Sequence, residues 1–275
     1  MNFQQSFTEI QSLLTALNHD SDRFVNALRQ QHVFHLSFSQ ISTLEFCQHR
    51  YYLQYILNQE PDPLPDYFTK GKLLHQLIAH GYQAQMSGNV PSLEVLEEEL
   101  FTSELACESV HLTNALQLYY RHRWQVERVL AVEQPFVISL ADDLPPLVGV
   151  IDLVLQDGDA IILVDHKTGC NFYPYDELQV AIYARYIQSI YPGYDCQLFY
   201  DHYRWVNHLE RIRKPAFQRT LVELHKDQWQ TDLQRITSAA GIIQQIHVGS
   251  SPTHSGACFR CPYQHICEFS YRRAN

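Results

Sequence analysis

The chain has 275 residues, 45% of them hydrophobic, with 17 Tyr and 14 Phe; such a composition supports a substantial core and excludes a disordered chain. A formal charge of −10 excludes a protein that coats nucleic acid by neutralising phosphates, but suits a site that gathers divalent cations. No run approaches the roughly 20 apolar residues of a membrane span, and the N-terminus, with Gln4, Gln5, Thr8 and Glu9, has no signal-peptide core, so a cytoplasmic setting away from membranes is expected.

From Phe3 to Leu28 the apolar residues Phe7, Ile10, Leu14, Leu17, Val25 and Leu28 recur at mostly helical spacing. A second helix is predicted from Ser39, as N-cap, to Leu57, ended by Pro61, Pro63 and Pro65. Further helices are predicted over 70–85, 92–105 and 112–130. At Ala131 the pattern changes to short Val- and Ile-rich runs at 133–140, 147–155 and 160–164. The last two flank Gln156-Asp157-Gly158-Asp159, a hairpin signal. A helix over 176–190, a strand over 196–206, a long helix over 227–248 and a polar linker over 249–256 follow. Strands joined first by turns and then through a helix imply an α/β fold with a mixed central sheet flanked by helices. One domain, 1–275, is expected: a helical extension at 1–35, a helical region at 36–130, an αβ core at 131–206, and a C-terminal helix with a cysteine segment at 207–275.

Hydrolysis of a phosphodiester calls for a cation that activates water and neutralises developing charge, and hard cations are held by carboxylates. Asp152 lies in the apolar run Gly149-Val150-Ile151-Asp152, and Asp165 ends Ile162-Leu163-Val164-Asp165. If the hairpin pairs through Asp157-Gly158, both carboxylates meet on one face. Lys167, two residues past Asp165, points to the same side, where an ammonium can orient water or stabilise the transition state, or simply pair with a carboxylate. The basic runs Arg121-His122-Arg123 and Arg211-Ile212-Arg213-Lys214 read either as backbone contacts or as an ordinary solvated face.

Gly149-x-x-Asp152 followed by Asp165-x-Lys167 resembles the PD-(D/E)XK nuclease core, which has a restriction-endonuclease-like fold, and Gln179-x-x-x-Tyr183 on the next helix is similar to the motif of its RecB-like branch. Gly71-x-x-x-His75 resembles that branch's helical histidine, and Glu133 matches a further acidic position. The resemblance implies Mg²⁺ or Mn²⁺ held by His75, Asp152, Asp165 and the carbonyl of His166. Lys167 then positions water, Gln179 and Tyr183 hold the strand, and Glu133 joins the catalytic set. It further implies a DNA exonuclease acting on single strands or ends, beside a CRISPR integrase or a helicase subunit. The alternative is a catalytically silent DNA-end-binding or scaffold subunit.

Cys258-x-x-Cys261-x-x-x-x-x-Cys267 supplies three thiolates, and a four-cysteine site needs one more. Cys47, in Leu44-Glu45-Phe46-Cys47-Gln48-His49-Arg50-Tyr51-Tyr52, is the best fourth, because this segment is similar to the N-terminal cysteine segment of AddB-type and CRISPR-associated RecB-like nucleases. That family holds a [4Fe–4S] cluster on such cysteines, joining the two ends of the domain. Zinc accepts four thiolates equally well, and His254 and His265 offer nitrogen alternatives. Cys107, Cys170 and Cys196 read as incidental thiols, Cys170 standing close after Lys167.

Overall fold

The computed structural model describes residues 2–62, 66–102, 109–169, 172, 175–204, 214–256, 258 and 261–270. Two N-terminal helices, α1 (Phe3–Ala16) and α2 (Ser21–Gln31), replace the single predicted helix. The break is at Asn18 and His19, both left-handed with φ of 50° and 57°, after which the Asp20 carboxylate accepts from Arg23 N–H and caps α2. A two-residue strand, β1 (Leu36–Ser37), leads into α3 (Phe38–Phe46). Ser37, not Ser39, is the N-cap: its hydroxyl accepts from Gln40 N–H, and its own N–H donates to the Gln40 side chain. The predicted helix to Leu57 is interrupted by extended backbone at Cys47, followed by α4 (Gln48–Tyr51) and a π-helical turn, Tyr52–Ile56.

Helices α5 (Asp66–Met86), α6 (Leu93–Thr102) and α7 (Ser109–His122) come next. The predicted helix over 112–130 overran, because Val129 turns into the sheet. Strands β2 (Arg128–Ile138), β3 (Leu147–Asp157) and β4 (Ala160–Gly169) precede α8 (Leu178–Ile190), β5 (Asp195–Arg204), β6 (Ala216–Val222) and α9 (Lys226–His247). The sheet is six-stranded, ordered β1-β3-β4-β5-β6 with β2 on the other edge of β3, and it mixes parallel and antiparallel pairs. It therefore extends on both sides of the expected 131–206 core, into β1 and β6. The expected hairpin forms, with Gly158 at φ 56° in its turn. Cys107, Cys170, Arg211, Ile212, Arg213 and the end of the strand predicted over 196–206 lie outside the described residues.

Both sheet faces are covered. On one, α3, α8 and α9 pack Leu44, Ile182, Ile187, Ile236 and Ile243 over Ile151, Val154, Ile161, Leu163 and Leu198. On the other, α5, α6 and α7 pack Leu74, Tyr82, Leu96, Leu112 and Leu116 over Leu153, Leu155, Ile162, Val164 and Tyr203. Alternate residues of one strand thus feed two cores, as the period of two requires. Helices α1 and α2 close a smaller core on Val137 and Val148. Among the described residues no helix is long and apolar enough to cross a membrane.

Candidate active site

Strand β3 meets two partners along one edge. Leu147 and Val148 pair with β1, whereas Leu153 to Asp157 pair with β4. Between these segments β3 and β4 part, and Asp152 sits in the opening. Freed from the β3 ladder, the His166 N–H donates to Asp152 Oδ2 at 2.7 Å. A backbone donor that would otherwise be orphaned thereby fixes the carboxylate.

Two further elements aim ligands at the same point. His75, on the sheet-facing side of α5, brings Nδ1 to 3.6 Å from Asp152 Oδ2. Glu133 lies opposite Asp152, between the pairs Val132–Leu153 and Gln134–Ile151. Its φ of 49° is left-handed, a costly state for a non-glycine residue inside a strand. Ligand atoms of His75, Glu133 and Asp152 all fall within 4.8 Å of one another. Oxygens at about 2.1 Å from one cation stand up to about 4.2 Å apart, so a slight inward movement completes the set. Burial, then the charge of Asp152, then those of Asp22 and Asp165, push the Glu133 carboxyl up to about 8. Among the described residues the charges that act on Glu133 are all negative, and a cation supplies the missing countercharge.

Asp165, 3% exposed, projects from β4 on the Asp152 side, but its Oδ2 faces Lys167 Nζ at 2.6 Å. Of the four groups expected to hold a cation, His75 and Asp152 belong to the compact trio, which Glu133, expected only in the catalytic set, completes in place of Asp165. Burial raises the Asp165 carboxyl to about 6 against the opposing pull of Lys167. Lys167 also donates to Gln179 Oε1 at 2.9 Å, and Gln179 Nε2 donates to Tyr183 Oη at 2.7 Å. One face of α8 therefore holds the ammonium from behind, with Tyr183 beside Gly149 and Phe136. The His166 side chain points the other way, into the α5–α7 core, and burial depresses its pKa to about 4. Its ring stands edge-on to that of His75 at 6.2 Å, and its backbone N–H faces Asp152.

Glu133, His75 and Lys167 line an open cleft of about 870 Å³, together with Lys72 of α5 and the α1–α2 turn at His19, Asp20 and Asp22. Residues 35–268 match the PD-(D/E)XK nuclease superfamily. The chain belongs to that superfamily. Lys167 of its motif Asp152…Asp165-x-Lys167 lines the cleft. PD-(D/E)XK nucleases use divalent metals, and the His75, Glu133 and Asp152 set fits one. No curated protein matches the chain in sequence. The solved structure of SSO0001 is similar at 13% identity and a TM-score of 0.34, over 89% of this chain and 94% of that one.

No motif marks Tyr175 and Tyr200, whose rings lie 5.3 Å and 5.4 Å from Lys167 Nζ, or Asp22. For Tyr200 the signal is alternation: Tyr200 and His202 share the face opposite Asp201 and Tyr203.

The cysteine segment folds against the first cysteine. Thr253 O accepts from His49 N–H at 2.9 Å, Thr253 N–H donates to the Gln48 side chain, Pro262 O accepts from Asp62 N–H at 2.6 Å, and Leu53 packs with Tyr263 and Cys267. Burial and then the neighbouring Cys267 and Cys47 raise the Cys261 thiol; burial and then Cys258 and Cys47 raise Cys267. The thiols share one neighbourhood, yet no three of them approach within 4.8 Å of one another. His265 pairs with Asp62 and His254 stacks on Phe269. Cys196 stands apart on β5, its thiol pushed up to about 11 by burial.

Proposed function

We propose that this protein is a metal-dependent deoxyribonuclease acting on single-stranded DNA or DNA ends, and that it works as an exonuclease. The observation that carries the reading is the convergence of His75, Glu133 and Asp152 beside an ammonium held on Asp165. His75, Glu133 and Asp152, with Asp165 and the carbonyl of His166 alongside, are the groups that would hold Mg²⁺ or Mn²⁺; the imidazole nitrogen favours Mn²⁺. When bound, such a cation supplies Lewis acidity and charge neutralisation to the phosphodiester. Lys167 does the rest at closest range. Its ammonium, fixed by Asp165 and Gln179, stands ready to orient water and to stabilise charge that develops on the phosphoryl oxygens. Gln179 and Tyr183 keep it from swinging away, and Lys72 offers the cleft a second positive group for the DNA backbone.

Digestion of end-labelled single- and double-stranded DNA with Mn²⁺ or Mg²⁺ tests this. The parent degrades labelled strands only with metal, whereas Asp165→Ala and Lys167→Ala do not; equal activity in all three overturns the assignment. Exonucleolytic action and a role in CRISPR adaptation or recombination repair are proposed from the resemblance to RecB-like nucleases. Both settings call for an enzyme that works on DNA ends.

Cys47, Cys258, Cys261 and Cys267 are proposed to carry a [4Fe–4S] cluster that fastens the two ends of the domain. Around a single zinc at about 2.3 Å, thiolates sit within about 4 Å of one another. In a cluster each thiolate holds its own iron, and it is the resemblance to the cluster-bearing RecB-like nucleases that favours iron over zinc here. Anaerobically purified protein is expected to be brown with a broad visible absorbance; colourless protein with stoichiometric zinc overturns the iron assignment.

A further inference from the structure

The sheet face that carries Asp165 and Lys167 does not end there. In the β4–β5 ladder Asp165 pairs with Tyr200 and Lys167 with His202; in the β5–β6 ladder Tyr200 pairs with Thr220 and His202 with Gln218. Paired residues share a face and neighbouring strands lie about 4.8 Å apart. Tyr200 and His202 therefore stand one strand over from the Asp165–Lys167 pair, and Thr220 and Gln218 two. Above them opens a cleft of about 540 Å³, with Phe172 and Tyr175 as walls and Glu177 and Glu223 at the rim.

We infer that this cleft is a nucleobase subsite, which takes by ring stacking the base of the nucleotide adjoining the scissile phosphate of a single strand. The inference rests on the nuclease reading above and adds to it what the enzyme grips beside the phosphate.

The wall is built of rings in mutual contact. Tyr175 and Tyr200 have centroids 5.0 Å apart, Tyr175 and His202 5.5 Å, and Phe172 meets His202 edge-on at 4.7 Å. The Tyr175 hydroxyl and His202 Nδ1 are 2.6 Å apart, which locks the two rings together. Lys167 Nζ lies over both Tyr175 and Tyr200, so the aromatic surface begins at the ammonium itself. All these rings are uncharged at neutral pH: burial raises the Tyr175 phenol to about 12 and lowers the His202 imidazole to about 4.

The chemistry of the rim selects the occupant. Carboxylates at Glu177 and Glu223 repel a phosphate, while the floor and walls suit a flat, neutral, polarisable group. A nucleobase is that group. In a duplex the base is committed to its stack and partner, so entry requires a single strand or a frayed end.

The test uses a short single strand with 2-aminopurine scanned along it, added to the full-length protein in chelator. Stacking quenches the fluorophore, so quenching is expected at one position in the parent. It should be lost in Phe172→Ala and regained in Phe172→Trp. With Mn²⁺, an abasic nucleotide at that position is expected to raise KM about tenfold in the parent, in line with the loss of one stacked base, and to have no effect in Phe172→Ala. Quenching that survives Phe172→Ala, quenching at no position, or an abasic strand cleaved with unchanged KM overturns the subsite while leaving the nuclease assignment intact. Failure of the nuclease assignment reads differently: no metal-dependent cleavage of any strand, with position-specific quenching retained.

Discussion

Replacing Glu133 with Gln should make the metal-free protein more stable and the metal response weaker. Burial and the facing carboxylates raise the Glu133 carboxyl from 4.5 to about 8. Each tenfold change in proton affinity corresponds to about 1.4 kcal/mol, which sets a ceiling near 5 kcal/mol. Asp152 shares the repulsion and the pocket is open to water on one side, so about 2 kcal/mol is expected. The sign follows from linkage. Below about pH 4.5 the carboxyl is protonated whether folded or unfolded, and it costs nothing. As pH rises from there the unfolded chain ionises first, and stability falls until about pH 8, above which the full cost is in place. In chelator at about pH 9, Glu133→Gln should melt about 4–8 °C above the parent by calorimetry, with little difference at pH 5. Mn²⁺ at a hundred times its dissociation constant should add about 2.7 kcal/mol to the parent and markedly less to the variant. A variant that melts at or below the parent at pH 9, or one that gains equally from Mn²⁺, would refute the picture of carboxylates held together awaiting a cation.

Lys167→Ala removes the only cation within ion-pair distance of the buried Asp165 among the described residues. DNA cleavage should fall by at least about 100-fold, and urea denaturation should show a loss of about 3 kcal/mol. Arg219→Met should cost a similar amount without touching the cleft, because Arg219 grips the fully buried Asp201 through both carboxylate oxygens at 2.7 Å, the Trp124 indole donating to one of them as well. Adding Asp201→Leu to Arg219→Met should recover much of that loss in the same denaturation experiment, since the stranded charge goes too. Gly149→Ala would place a methyl 2.6 Å from the buried Phe136 ring, which predicts about 1–3 kcal/mol of destabilisation and a displaced Tyr183, read by thermal melting and by a lowered kcat.

Most of the architecture was legible because period and turn chemistry agree locally. Asp157-Gly158 announced the hairpin, and the apolar runs around it marked β3 and the first half of β4. The second half of β4 was not readable, because Asp165, His166 and Lys167 interrupt the apolar pattern and are held in the strand by pairing with β5. Strand β6 escaped notice for a related reason: it is a half-exposed edge whose side chains alternate weakly. The Ser37-x-x-Gln40 capping box was present in the sequence and identifies the α3 start better than Ser39. At the site, strand pattern and spacing pointed to Asp152, Asp165 and Lys167, the family resemblance pointed to His75, Gln179 and Tyr183, and the structure links the six through short contacts. Spacing gave no sign that Glu133 would take a left-handed backbone, or that Asp165 would turn toward Lys167. Both depend on where β3 and β4 part, a tertiary feature.

The division of the sheet into two separately covered faces has a consequence for the nascent chain. His75 arrives with the α5–α7 layer, Lys167 is held by Gln179 of the α8 layer, and Asp152 and Glu133 belong to the strands between them. A molecule with only one layer docked carries half a ligand set or an untethered ammonium. On the nuclease reading proposed above, chemistry at this site requires completed folding: a copy with one layer undocked is expected to be silent rather than weakened.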